Sequence, residues 1–270
     1  MIQKLKLLIK SRPPRPPRPP LPSPRPIITQ PPIDIYVFGI QRSGHHAIIR
    51  WILGQFPHLN IDTDLIKSNI FINDWLKGGV TNCPQTKTNL VCDIPHNDQI
   101  RLVSYENNKE VLINENRDLL LKDGNYCFVV LRDPLNWYAS MKKLWKIPIS
   151  DYKIELGIRY FEEFVIKKID NRVIPIIYDK WFINRQYRDS IAKKLVKTPN
   201  DRGFGKMVSY NMIGSSFDNW KYKNDATKMN VLERYKYLSN DEIYELLSNR
   251  RIYAMIKYIR DFSGIPMINH

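Results

Sequence analysis

Residues Ile33 to Phe56 read IDIYVFGIQRSGHHAIIRWILGQF, an apolar β-branched run, a tight polar turn and then a helical pattern. Strand, turn and helix in that order form a unit that can present backbone N–H groups to an anion. The turn Gly39-Ile40-Gln41-Arg42-Ser43-Gly44 has the two-glycine spacing of a P-loop, in which successive amides and the following helix N-terminus point at one phosphate. The next two residues are His45 and His46. A nucleoside-triphosphate loop needs Lys there to reach the β- and γ-phosphates and Ser or Thr to hold Mg²⁺. With neither present, the loop reads as built for a phosphate without that metal. Ala47, Ile48, Trp51, Ile52 and Phe56 then make one apolar helical face, and Gly54 with Pro57 ends the helix.

Downstream of this unit the chain is irregular from Pro57 to Asn108, with Gly78-Gly79, Pro84, Pro95 and many Asn. Such a stretch wraps a surface, and in an α/β enzyme it can carry acceptor specificity. Order returns at KEVLINE, Lys109 to Glu115, which reads as a buried strand with Glu115 at its carboxyl end. YCFVVLR, Tyr126 to Arg132, is the clearest buried parallel strand. Asp133-Pro134 then makes an N-cap with proline at the first helical position, and the helix from Leu135 to about Trp145 carries Ser140. A helical pattern spans Asp151 to Ile169, and RVIPIIYDKWF, Arg172 to Phe182, reads as a third strand ending in Tyr178-Asp179. Helices are expected over about Arg185 to Leu195, Ala226 to Leu238 and Asp241 to Phe262, with a glycine-bearing loop at 202–220 between them. The alternation predicts an α/β fold: three layers, a mostly parallel sheet, and ligands at the strands' carboxyl ends.

The composition bounds the rest. A chain of 270 residues with 43% hydrophobic and 26% charged residues can bury one large core, and no apolar run approaches the ~18 residues of a membrane span. MIQKLKLLIK is too short in its apolar part for a signal peptide, so secretion is not expected. Cys83, Cys92 and Cys127 are odd in number and lack metal-ligand spacing, which points to free thiols in a reducing, cytoplasmic compartment, although a Cys83–Cys92 bridge stays open. Residues 1–32 form a basic proline-rich arm, extended or disordered, that reads as a solvated spacer, an SH3-type ligand or an anion-seeking segment. Its seven cations account for part of the net +15, leaving +8 for residues 33–270. That surplus favours an anionic ligand.

Arg42-Ser43-Gly44 after a strand, then Leu131-Arg132-Asp133-Pro134 and Ser140, resembles the two-part nucleotide signature of the PAPS-dependent sulfotransferases. Ile177-Tyr178-Asp179 and Gly214-Ser215-Ser216-Phe217 extend the resemblance in the right order over most of 33–270. The RSG version of the loop is closer to the carbohydrate-type branch, while His45-His46 depart from its usual Ser/Thr. The resemblance implies a P-loop nucleotide-hydrolase-like sulfotransferase fold and a donor, 3′-phosphoadenylyl sulfate (PAPS), with no metal. It implies that Gln41, Arg42, Ser43, Gly44, His45 and His46 hold the 5′-phosphosulfate, that Arg132 and Ser140 hold the 3′-phosphate, and that Ser215 and Ser216 touch the nucleotide. The acceptor is then a hydroxyl or amine of a carbohydrate or small metabolite. Arg42 is the candidate for stabilising the leaving group and Glu115 the candidate base, with His96, His45 and His46 competing. Two other functions stay open: a P-loop kinase or NTPase, and a non-catalytic basic protein whose arm binds a partner. No zinc-finger or RNP-type pattern suggests specific nucleic-acid recognition.

Overall fold

A computed structural model describes residues 33–56, 71–73, 100–145, 151–205, 216–218, 222 and 225–268. The proline-rich arm, Cys83, Cys92, His96 and Ser215 lie outside the described residues. Five strands form one sheet in which every pairing is parallel: β1 (Ile33–Gly39), β2 (Phe71–Asn73), β3 (Ile100–Glu106), β4 (Tyr126–Leu131) and β5 (Val173–Ile177), in the order β2-β3-β1-β4-β5. The first strand is central, and the chain builds outward from it in both directions. The carboxyl end of β1 is therefore the switch point at which an open parallel sheet leaves a crevice.

Both faces of the sheet are covered, so its strands carry apolar residues at successive positions. On one face Tyr36, Phe38, Tyr105, Val129 and Leu131 pack with Trp137 of α3 (Pro134–Trp145), Leu156 of α4 (Asp151–Tyr160) and Ile259 of α8 (Arg250–Ser263). On the other, Ile35, Val37, Phe128 and Val130 pack with Ile48 and Trp51 of α1 (His45–Gly54) and Trp181 of α5 (Tyr178–Ile183). The remaining helices are α2 (Asn114–Leu120), α6 (Arg185–Ala192) and α7 (Asn240–Ser248). The three-layer, parallel architecture expected from the alternation of elements is the one observed. Among the described residues, no helix is long and apolar enough to cross a membrane.

Six local expectations need correction. Lys109 to Glu115 is not a strand: Glu110–Leu112 is a 3₁₀ turn and Glu115 lies in the first turn of α2, exposed. The strand beside β1 is Ile100–Glu106, inside the segment read as irregular, because Arg101, Ser104 and Glu106 interrupt its apolar run. Tyr178-Asp179 does not end a strand but opens α5. Ala226 to Leu238 is no helix. Two 3₁₀ turns, Ala226–Lys228 and Arg234–Tyr237, flank a bent, turn-forming piece whose Val231 carbonyl accepts from Arg132. Asp241 to Phe262 is two helices, broken at Asn249, whose side chain accepts from the backbone N–H groups of Arg251 and Ile252 and so starts α8 afresh. Directly after α4 the helical turn widens at Phe161–Ile166 into a π-helical segment, so the expected helix ends slightly early.

Candidate functional site

The anion loop sits at the end of β1 and is built largely by backbone. Ser43 N–H donates to the Ile40 carbonyl at 2.9 Å, and Arg42 (φ 72°) and Gly44 (φ 93°) take left-handed conformations. These reverse the chain within four residues. Gly44 has two reasons to lack a side chain: its φ, and the Tyr178 ring, which an added Cβ would overlap. Gly39 is similarly closed off, since a Cβ there would overlap His45 Nδ1. Helix α1 starts with no side-chain cap and no acidic residue in its first turn, so its positive end is available to an anion.

Neighbouring elements fix the loop from three sides. Asn107, following β3, donates its N–H to the Gly39 carbonyl at 2.9 Å and accepts from Gln41 N–H on Oδ1 at 3.1 Å. Trp137 Nε1–H donates to the Gln41 carbonyl at 2.8 Å, and Lys153 Nζ donates to Gln41 Oε1 at 3.0 Å. Three helices and two strands thereby meet on six residues.

A second cluster lies at the end of β4. Arg132 is buried and donates through Nη1 to the Arg42 carbonyl at 3.1 Å and to Ser140 Oγ at 3.4 Å, while its guanidinium lies 5.0 Å over the Tyr178 ring. Ser140 Oγ also accepts from Arg234 Nη1 at 3.0 Å. Arg234 pairs with Asp218 at 2.9 Å and stacks over Phe217 at 4.5 Å. The sequence reading brought Arg132 and Ser140 together but missed Arg234, which sits in a segment expected to be an ordinary helix. Burial and then Arg132 push the Arg234 pKa down to about 9, and the same two causes lower that of Arg42. Three guanidiniums thus repel one another in a poorly solvated place, with Asp218 and Glu106 as the opposing charges. Such an arrangement is stabilised by a bound anion.

Behind it stand two buried carboxylates. Asp133 Oδ1 accepts from Leu135 N–H at 2.9 Å, capping α3 as the Asp-Pro pair suggests, and its other oxygen pairs with Arg260 at 2.8 Å. Asp179 Oδ2 accepts from Asp133 N–H at 2.7 Å, tying the end of β5 to the end of β4. Burial, then Asp133, raises the Asp179 pKa to about 6.

The histidine pair turns sideways. His45 is buried with Nε2 2.9 Å from Ser104 Oγ, and His46 Nε2 lies 3.5 Å from Glu106 Oε1. Ser104 and Glu106 are two apart on β3 and so share a face. Burial pushes the His45 pKa well down, and burial followed by Arg42 brings that of His46 to about 4. In both cases burial favours the neutral imidazole.

Glu115 does not close a strand; the carboxylate that closes one beside the loop is Glu106. Glu115 is exposed on α2, whereas Glu106 ends β3 directly beside Gly39 of the loop and its side chain is only 4% exposed. Ser216 belongs to a 3₁₀ turn with Phe217 and Asp218. Whether the site suits a nucleotide with two separate phosphates can be judged from its polar atoms. Ser43 Oγ and Arg132 Nε are buried and have no protein hydrogen-bond partner among the described residues, one in each cluster. An anion at each place would meet those groups.

No family model matches the chain, and no curated protein does. Among solved structures it is similar to retinol dehydratase, in a complex with androsterone and the inactive cofactor PAP, at 12% sequence identity and a TM-score of 0.47, covering 89% of this chain and 84% of that one.

Proposed function

We propose that the chain is a sulfotransferase that moves the sulfonate of PAPS to a hydroxyl or amine of a carbohydrate or small metabolite. The observation that carries this reading is the pair of anion sites on adjacent strand ends. One is a backbone loop and the other a guanidinium–hydroxyl cluster of Arg132, Ser140 and Arg234, joined through the Arg42 carbonyl. Two such sites suit a nucleotide bearing phosphate on both the 5′ and 3′ oxygens. A triphosphate loop is a poorer match, since His45 and His46 stand where Lys and a hydroxyl are needed.

The residues divide the work by position. The loop amides, Ser43 and the start of α1 hold the 5′-phosphate, and Arg132, Ser140 and Arg234 hold the 3′-phosphate. When bound, the donor supplies an activated sulfonate. Glu106 accepts the proton of the acceptor hydroxyl, making its oxygen nucleophilic. Arg42 stabilises the negative charge left on the phosphate oxygen when the S–O bond breaks.

Thermal unfolding with added nucleotides tests the reading. 3′-Phosphoadenosine 5′-phosphate is expected to stabilise the protein by about 2.7 kcal/mol at a hundred times its Kd. Adenosine 5′-phosphate should give a much smaller shift at equal concentration. Equal stabilisation by the two would remove the second phosphate site, and a preference for ATP with Mg²⁺ would favour a kinase or NTPase instead.

A further inference from the structure

His45 and His46 are the loop's departure from a hydroxyl-bearing anion site, and their contacts give them a different task. Each reaches β3 rather than the loop interior: His45 to Ser104 at 2.9 Å and His46 to Glu106 at 3.5 Å. His45 is an internal anchor, fully enclosed. His46 is 26% exposed and stands at the rim, facing a carboxylate that is itself 4% exposed. A neutral imidazole beside a carboxylate keeps its proton on the nitrogen that faces it, here Nε2. The separation is at the long end of hydrogen-bond range, as is common for catalytic pairs before ligands bind.

We propose that His46 is a positioning residue for the base: its Nε2–H orients the Glu106 carboxylate at the rim of the anion loop. The first turn of α1 then both receives the donor phosphate and sets the direction of the base. This inference rests on the reading of Glu106 as the base. Other charged and titratable groups among the described residues face the pair. Arg42 in the loop faces both Glu106 and His46, His45 lies edge-on to His46 with ring centroids 5.9 Å apart, and Lys153 of α4 faces Glu106 while bonded to Gln41. Among these groups His46 brings an imidazole nitrogen within 3.5 Å of the carboxylate.

The test uses PAPS without added acceptor, so that water is the nucleophile. Its oxygen bonds to sulfur, its proton goes to Glu106, the S–O bond to phosphate breaks, and the electron pair stays on the phosphate oxygen. Release of 3′-phosphoadenosine 5′-phosphate is followed against pH. His46→Ala should lower kcat on the order of a hundredfold, the effect of losing alignment at a reacting group. Bisphosphate affinity should change little. The acid limb of the profile should move to higher pH, because a donor to the ionised carboxylate has been lost. His46→Gln, whose amide N–H reaches a similar point, should recover most of the rate. Independently of turnover, ¹⁵N NMR of the wild type should show the Nε2-protonated tautomer of His46, and Glu106→Ala should abolish that preference. If Glu106→Gln turns over like the wild type, the base assignment and this inference fall together. If Glu106→Gln is inactive while His46→Ala keeps its rate and its acid limb, the positioning role alone is overturned. Loss of bisphosphate affinity in His46→Ala in proportion to the rate would also overturn it, by placing the imidazole on the phosphate.

Discussion

The two proposed anion sites use opposite means. At the end of β1, binding groups come from backbone shape, with a left-handed Arg42 and Gly44 and two neutral histidines braced on β3. At the end of β4, they come from charged side chains, with Arg132 and Arg234 sharing Ser140 while Asp133 and Asp179 are buried behind. A backbone site relies on loop shape and on the positive end of a helix rather than on charged side chains. A guanidinium site pays for its affinity in mutual repulsion when empty, and the ligand relieves it.

The largest test of that contrast is steric. Gly44→Ala should destabilise by about 3 kcal/mol or more, combining a left-handed backbone with overlap on the Tyr178 ring. Gly124, also at positive φ (79°) but with nothing near its missing Cβ, isolates the backbone part, and Gly124→Ala should cost only about 1–2 kcal/mol. Equal costs in urea denaturation would mean that Tyr178 does not brace the loop.

The charged half is tested next, through selectivity. Arg132→Ala or Arg234→Ala should each weaken 3′-phosphoadenosine 5′-phosphate roughly ten- to a hundredfold, the worth of one charge-assisted hydrogen bond of about 1.5–3 kcal/mol, while adenosine 5′-phosphate changes far less. Calorimetric titration of both nucleotides would show it. Parallel losses for the two would merge the sites into one.

The pH dependence of stability should carry opposite signs in the two halves. The His46 pKa is lower folded, about 4, than its ordinary 6.5, so the unfolded chain binds more protons in that interval and stability falls as pH drops through it. The Asp179 pKa is higher folded, about 6, than its ordinary 3.8, so its contribution is fully present below that value and is lost as pH rises through about 6. Relative to wild type, His46→Gln should therefore gain stability toward pH 4, and Asp179→Asn should gain toward pH 7. Urea midpoints across that range check both slopes, and slopes of the same sign would dissolve the distinction. The smallest effect expected is that of Glu115→Gln on the exposed face of α2, within ~0.5 kcal/mol in stability and none in bisphosphate binding.

Much of this was legible before any coordinates. The loop and the Asp-Pro start of α3 follow from local rules, glycine where φ is positive and proline at the first helical position, while the Arg132–Ser140 pair comes from the resemblance to a two-part nucleotide signature. What escaped was β3. Its Ser104 and Glu106 break the apolar run that marks a buried parallel strand, and they do so because they serve the loop. Glu115 reads as closing a strand just upstream of β4 for the same reason, since Lys109–Glu115 stands in the sequence reading for the strand that Ile100–Glu106 forms. Arg234 escaped for a related reason: the turn that carries it is held by Ser140 and Asp218 rather than by its own helical periodicity.

The sequence alone determined the elements whose signals lie within a few residues: the strand–loop–helix unit, the buried β4, and the parallel three-layer class. Only the tertiary structure decided which carboxylate stands beside the loop and which arginine joins Arg132 on Ser140. Those are matters of strand order and of contacts between residues 60 to 94 positions apart, His46 with Glu106 and Ser140 with Arg234. Local propensity does not record them, because their energy appears only when the chain has already closed.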